Sequence, residues 1–72
     1  LQHIGSIYES RDEFDKAIDY YNQSLTIFQS IGNRESEAVS LGNLGNSYRS
    51  LSQYDRAIRY YDQAFTIYKA IG

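Results

Sequence analysis

Leu41–Gly72 reads LGNLGNSYRSLSQYDRAIRYYDQAFTIYKAIG, and forty residues earlier Leu1–Gly32 reads LQHIGSIYESRDEFDKAIDYYNQSLTIFQSIG. The two stretches agree at fourteen of thirty-two positions: Leu1/Leu41, Gly5/Gly45, Tyr8/Tyr48, Ser10/Ser50, Asp15/Asp55, Ala17/Ala57, Ile18/Ile58, Tyr20/Tyr60, Tyr21/Tyr61, Gln23/Gln63, Thr26/Thr66, Ile27/Ile67, Ile31/Ile71 and Gly32/Gly72. A fixed period with this much self-similarity marks a repeat protein, in which one small unit buries its apolar face against the next. The expected organisation is a first unit over residues 1–32 and a second over residues 33–72.

Within each unit the apolar spacing is helical. Leu1, Ile4, Gly5 and Tyr8 fall one turn apart and predict a helix that starts abruptly, shorter than its counterpart forty residues later. Arg11, Asp12 and Glu13 make a polar break, and Asp12, Glu13 and Asp15 place negative charge where the dipole of the next helix favours it. Phe14, Ala17, Ile18, Tyr21, Leu25 and Phe28 then trace one face, which Tyr20, Ile27 and Ile31 broaden. A stripe that wide needs more than one covering neighbour. Gly32 is the expected stop, because glycine takes the left-handed cap conformation without steric cost. Asn33 is the expected N-cap of a third helix running through Ala38, Leu41, Leu44, Gly45, Tyr48 and Leu51. After Ser52 and Gln53, the fourth helix repeats the second on Tyr54, Ala57, Ile58, Tyr61, Phe65 and Tyr68, with Tyr60, Ile67 and Ile71 widening it. There is no proline and no strand-like alternation. The reading is all-α: about four helices in two tandem antiparallel hairpins.

Size and charge narrow the options. A chain of 72 residues buries only roughly 60% of its unfolded surface and is marginal by itself. Without cysteine it has no disulfide or thiolate metal site to supplement the core. Nothing resembles a membrane span or a signal peptide, which points to a cytoplasmic protein. Leu1 rather than methionine opens the chain, so a piece of a longer protein is expected. The net charge of −2 hides a gradient. Arg11 and Lys16 oppose Glu9, Asp12, Glu13, Asp15 and Asp19 in the first unit, whereas Arg49, Arg56, Arg59 and Lys69 oppose only Asp55 and Asp62 over residues 41–72. Head-to-tail attraction between chains and a plain imbalance of solvated charges both fit.

Ten positions of the second copy, Leu41, Leu44, Gly45, Tyr48, Tyr54, Asp55, Ala57, Ile58, Tyr61 and Ala64, resemble the tetratricopeptide repeat pattern. The first copy carries it on Leu1, Ile4, Gly5, Tyr8, Phe14, Asp15, Ala17, Ile18, Tyr21 and Ser24. The resemblance implies a right-handed stack of helical hairpins, an α-solenoid fragment, in which Gly45 and Ala57 let helices approach closely. Three departures stand out. The period is forty rather than the usual roughly 34, Asp12 and Ser52 replace the glycine of the turn, and Gln29 and Lys69 replace a proline. These features are similar to the long-helix subclass of kinesin light chains, spindle-orientation adaptors and bacterial arrays.

No catalytic set can be assembled. His3 is the sole histidine, with no cysteine to complete a metal site or a nucleophile–base pair. The glycines of LGNLGN sit in a helix at expected packing positions and follow no strand, which excludes a phosphate loop. The eight tyrosines evoke base stacking, but a net acidic chain lacks the basic groove that nucleic acid needs. Tyr8, Tyr21, Tyr48 and Tyr61 fall at core positions of the repeat, whereas Tyr20 and Tyr60 are ambiguous.

The resemblance implies no enzyme and no cofactor, but a scaffold that binds a protein or peptide in a groove lined by the first helix of each unit. The positions it assigns there are Gln2, Ser6, Glu9 and Ser10, then Gly42, Asn46, Arg49 and Ser50. An asparagine amide donates and accepts at once and can hold an extended backbone, and Arg49 can meet a carboxylate. The alternative for both is a solvated polar side chain. Gln2 and Gly42 stand where a lysine clamp for terminal carboxylates would be, so that clamp is absent. A second expectation is structural: copies associate through apolar terminal helices, head to tail or by swapping, with no nucleic acid and no membrane as partner.

Overall fold

The computed structural model describes residues 13–72. They form three helices, α1 over Phe14–Ile31, α2 over Arg34–Ser50 and α3 over Tyr54–Ile71. The helix expected over Leu1–Ser10 lies outside the described residues.

The helix ends follow from a few residues. Gly32 sits at φ +73°, its N–H bonded to Gln29 O at 3.3 Å and the N–H of Asn33 to Phe28 O at 3.0 Å. That pair of bonds satisfies carbonyls which the end of α1 would otherwise leave open. Asn33 then caps α2, its side chain accepting from Ser36 N–H at 3.1 Å. The end of α2 repeats the same geometry without a glycine. Ser52 takes φ +62°, its N–H meets Arg49 O at 2.9 Å, and Gln53 N–H meets Tyr48 O at 2.9 Å. Helices α1 and α3 start on Glu13 and Gln53 with no side-chain cap, and Asp15 and Asp55 supply the first-turn negative charge.

Turns this short force neighbouring helices to run antiparallel, and the side chains agree. Near the α2–α3 turn, Tyr48 stacks on Tyr60. One turn further, Gly45 faces the Tyr61 ring, and at the far end Ala38 and Leu41 cluster with Ala64 and Ile67. A second cluster joins α1 to α2 through Ala17, Tyr21 and Leu44, and Leu25 and Tyr60 pack against both. Helix α2 is therefore covered on two sides, which explains why its buried positions are mostly small: Ala38, Ser40, Gly45 and Ser47 beside Leu41 and Leu44.

One acidic residue is drawn into the packing. Glu37 is nearly buried, one oxygen taking Arg34 at 2.8 Å and the other taking Gln29 Nε2 at 3.4 Å. It ties the end of α1 to the start of α2. The widened stripes are only partly covered. Ile67 is buried against Ala38 and Leu41, but its counterpart Ile27 is exposed, as is Ile31.

Two substitutions test this account. A left-handed conformation costs a non-glycine residue roughly 1–2 kcal/mol, partly offset by the greater unfolded-state freedom of glycine. Ser52→Gly should therefore raise stability by about 0.5–1 kcal/mol, read from urea unfolding midpoints. Ser24 is fully buried and its hydroxyl has no hydrogen-bond partner, whereas the second copy carries Ala64 at that position. An unsatisfied buried hydroxyl costs about 1 kcal/mol or more. Ser24→Ala should raise the midpoint as well, and a lowered midpoint would mean that the hydroxyl is bonded after all.

Candidate functional site

The positions that the resemblance assigns to a groove in the second copy, Gly42, Asn46, Arg49 and Ser50, lie together on one side of α2. Glu35, Val39, Gly42, Asn46 and Arg49 recur at helical spacing, and Ser50 adjoins them. Glu35, Val39, Arg49 and Ser50 are exposed, and Gly42 and Asn46 are half-buried. Gln2, Ser6, Glu9 and Ser10 lie outside the described residues, as does His3.

The two glycines of this stretch behave differently. A Cβ added at Gly45 would come within 2.7 Å of Tyr61 Cε1, so the bare backbone is what lets that ring lie down on α2. At Gly42 an added Cβ would meet nothing within 4 Å. The expectation that both glycines occupy packing positions is therefore corrected: Gly45 does and Gly42 does not, because the Tyr61 ring covers only the side of α2 that faces α3. A glycine inside a helix costs about 0.5–1 kcal/mol relative to alanine, and at Gly42 no packing offsets that cost.

Tyr61 also reaches the neighbouring residue. Its hydroxyl donates to Asn46 Oδ1, which fixes the amide and presents its NH2 group as the remaining donor. Asn46 is thus held from the opposite helix, a contact that no local pattern in the sequence specifies. Asn46 and Gly42 are one turn apart, so an oriented amide stands beside a strip of backbone with no side chain over it.

A different face of α2 carries an aromatic and cationic group. The Tyr48 and Tyr60 rings are stacked with centroids 5.4 Å apart and planes 2° from parallel. The Arg56 guanidinium lies 5.6 Å from the Tyr48 centroid, close enough for a cation–π contact. Burial, aided by the adjacent Tyr48, pushes the Tyr60 hydroxyl above the usual phenol value, with Arg56 pulling the other way. Tyr60, ambiguous by sequence, is half-buried and packs against both core clusters. Reading the sequence for a groove on the first helices missed this group, although the basic charge of the second copy and the widened stripe at Tyr60 were its signals.

The outer face of α3 is apolar. Tyr54, Ile58, Phe65 and Tyr68 are 58%, 56%, 63% and 44% exposed. Their counterparts on α1, which are Phe14, Ile18, Leu25 and Phe28, are all half-buried, with Ile18 and Leu25 packed against the cluster that contains Leu44.

Among the described residues, no three His, Cys, Asp or Glu side chains are grouped to hold a metal ion, and no helix is long and apolar enough to cross a membrane. Compared with known proteins, the chain matches the family described as Tetratricopeptide repeat over residues 1–70. No curated protein and no solved structure matches it. The helical hairpin built on Gly45 and Tyr61, the forty-residue recurrence and this match together make the chain a member of the tetratricopeptide repeat family.

Proposed function

We propose that this chain is a non-enzymatic protein-binding scaffold of the long-helix tetratricopeptide subclass, working in the cytoplasm. Residues 1–32 and 33–72 are its two units, residues 1–10 complete the first hairpin, and the two hairpins stack right-handedly. The ligand is an extended peptide or a helix of a partner protein, lying along the first helices on the side of Gly42, Asn46, Arg49 and Ser50. In the first unit Gln2, Ser6 and Glu9 take the corresponding places. The observation that carries the reading is the pairing of Gly42 with Asn46. A glycine that no packing requires leaves room for a ligand backbone, and the amide beside it is already oriented by Tyr61. Pre-orientation lowers the entropy lost on binding. Arg49 supplies a charge for an acidic side chain.

Two variants separate this role from a structural one. Gly42→Ala should raise stability by about 0.5–1 kcal/mol through helix propensity while weakening capture of peptide ligands from a displayed library. Asn46→Asp keeps an acceptor for the Tyr61 hydroxyl but loses the amide donors, so it should retain the thermal midpoint and lose binding. Unchanged binding in both variants would sink the groove reading.

The exposed strip on α3 favours a second role, self-association. On α1 the equivalent strip is half-buried, and α2 packs on that helix. A second copy that supplied a helix in that position would extend the stack head to tail, and the charge gradient of the sequence favours the same direction. Light scattering over a concentration series should show mass rising above one chain, and Phe65→Glu should return it to 8.3 kDa. A constant monomer mass for the unaltered chain would exclude this role.

A further inference from the structure

The charge of the second copy is not spread evenly. Tyr48, Arg56, Arg59, Tyr60 and Gln63 line a cleft of about 220 Å³ between α2 and α3. Every polar group there can donate a hydrogen bond, and no carboxylate is among them. Among the described residues the ion pairs are Lys16–Glu13 and Arg34–Glu37, so neither Arg56 nor Arg59 has an acidic partner. Stacking of Arg56 over Tyr48 limits the motion of the guanidinium and still leaves the donors in its plane available.

Gln63 also lines an adjoining cleft of about 250 Å³, with Arg34, Glu37, Leu41, Thr66 and Ile67. The one carboxylate there is already engaged, because Glu37 holds Arg34 and Gln29. The apolar part is thin: Leu41 and Ile67 are 2% and 5% exposed and show only their edges, beside the exposed Thr66. Arg59 and Ile67 are two turns apart on α3, about 12 Å along its axis, a span that an extended peptide covers in three or four residues.

The internal repeat provides a control. Forty residues earlier, Arg56 corresponds to Lys16 and Arg59 to Asp19. The first copy therefore puts a carboxylate where the second puts a guanidinium, and the carboxylate-free lining with two guanidinium groups belongs to the second copy.

We propose that this cleft is a second peptide-binding site, on a different face of α2 from Asn46. It takes the carboxylate of an acidic side chain at Arg56 and Arg59 and an aliphatic side chain, three or four residues away, against Thr66 and the edges of Leu41 and Ile67. It is a site for one acidic–aliphatic motif, independent of the groove.

The test is nuclear magnetic resonance titration of the whole 72-residue chain, labelled with ¹⁵N. The probe is a blocked Glu-Ala-Ala-Leu peptide, with the Gln-Ala-Ala-Leu peptide and inorganic phosphate as separate arms. The glutamate peptide should saturate at about millimolar concentration, with shifts centred on Arg56, Arg59, Gln63 and Ile67. The glutamine peptide should bind about tenfold more weakly, and added salt should weaken the glutamate peptide. Arg59→Asp imports the residue of the first copy and should abolish the shifts while leaving the dispersed spectrum intact. Arg59→Gln makes the same test should the aspartate variant fail to fold. Equal binding of the two peptides, no saturation, or shifts centred on Gly42 and Asn46 would overturn the proposal. Phosphate binding as well as the glutamate peptide would show an adventitious anion site only, and would overturn it too.

Discussion

The contact on which the described structure turns is the Tyr61 ring lying on the bare backbone of Gly45. Tyr61 is a large side chain on α3 directed at a helix that is also covered by α1, and only a residue without a Cβ leaves space for it. That one accommodation has two results. It brings α2 and α3 close enough for Ala38, Leu41, Ala64 and Ile67 to exclude water together. It also carries the Tyr61 hydroxyl across to Asn46, so the same side chain that closes the hairpin orients a polar group at its surface.

Covering α2 from two sides dictates its composition. Helices α1 and α3 show strong one-sided apolar patterns, whereas α2 shows little, because it is buried toward both neighbours and must stay thin. Ser40 and Ser47 are fully buried for this reason. What remains of α2 is one open side with Gly42, Asn46 and Arg49, and a margin beside α3 where Tyr48 meets Tyr60 and Arg56. The two candidate surfaces are the parts of a doubly covered helix that its neighbours leave accessible.

The turn at Ser52 shows how the fold tolerates a departure from the family pattern. The backbone there follows the same hydrogen-bond geometry as at Gly32, with Ser52 at φ +62° and Gly32 at φ +73°. The carbonyls at the end of α2 need partners whatever residue occupies the turn. The packing of α3 on α2 holds the serine in a conformation that it would not choose in isolation.

Much of the architecture was legible in the sequence. The forty-residue recurrence shows in a comparison of the two copies, and the helical spacing, the stop at Gly32, the cap at Asn33 and the breaks at Glu13 and at Ser52 and Gln53 are local properties that local chemistry is enough to read. The family pattern likewise placed Gly42, Asn46, Arg49 and Ser50 on one face of one helix. Only the tertiary structure decided that Gly45 is filled and Gly42 is open, that Tyr61 holds Asn46, and that Arg56 joins the Tyr48–Tyr60 stack. Those outcomes depend on how α3 is rotated against α2 and on which rotamer each long side chain adopts. The periodicity of a helix fixes which residues share a face, but the neighbour that the face meets is settled only when the helices pack.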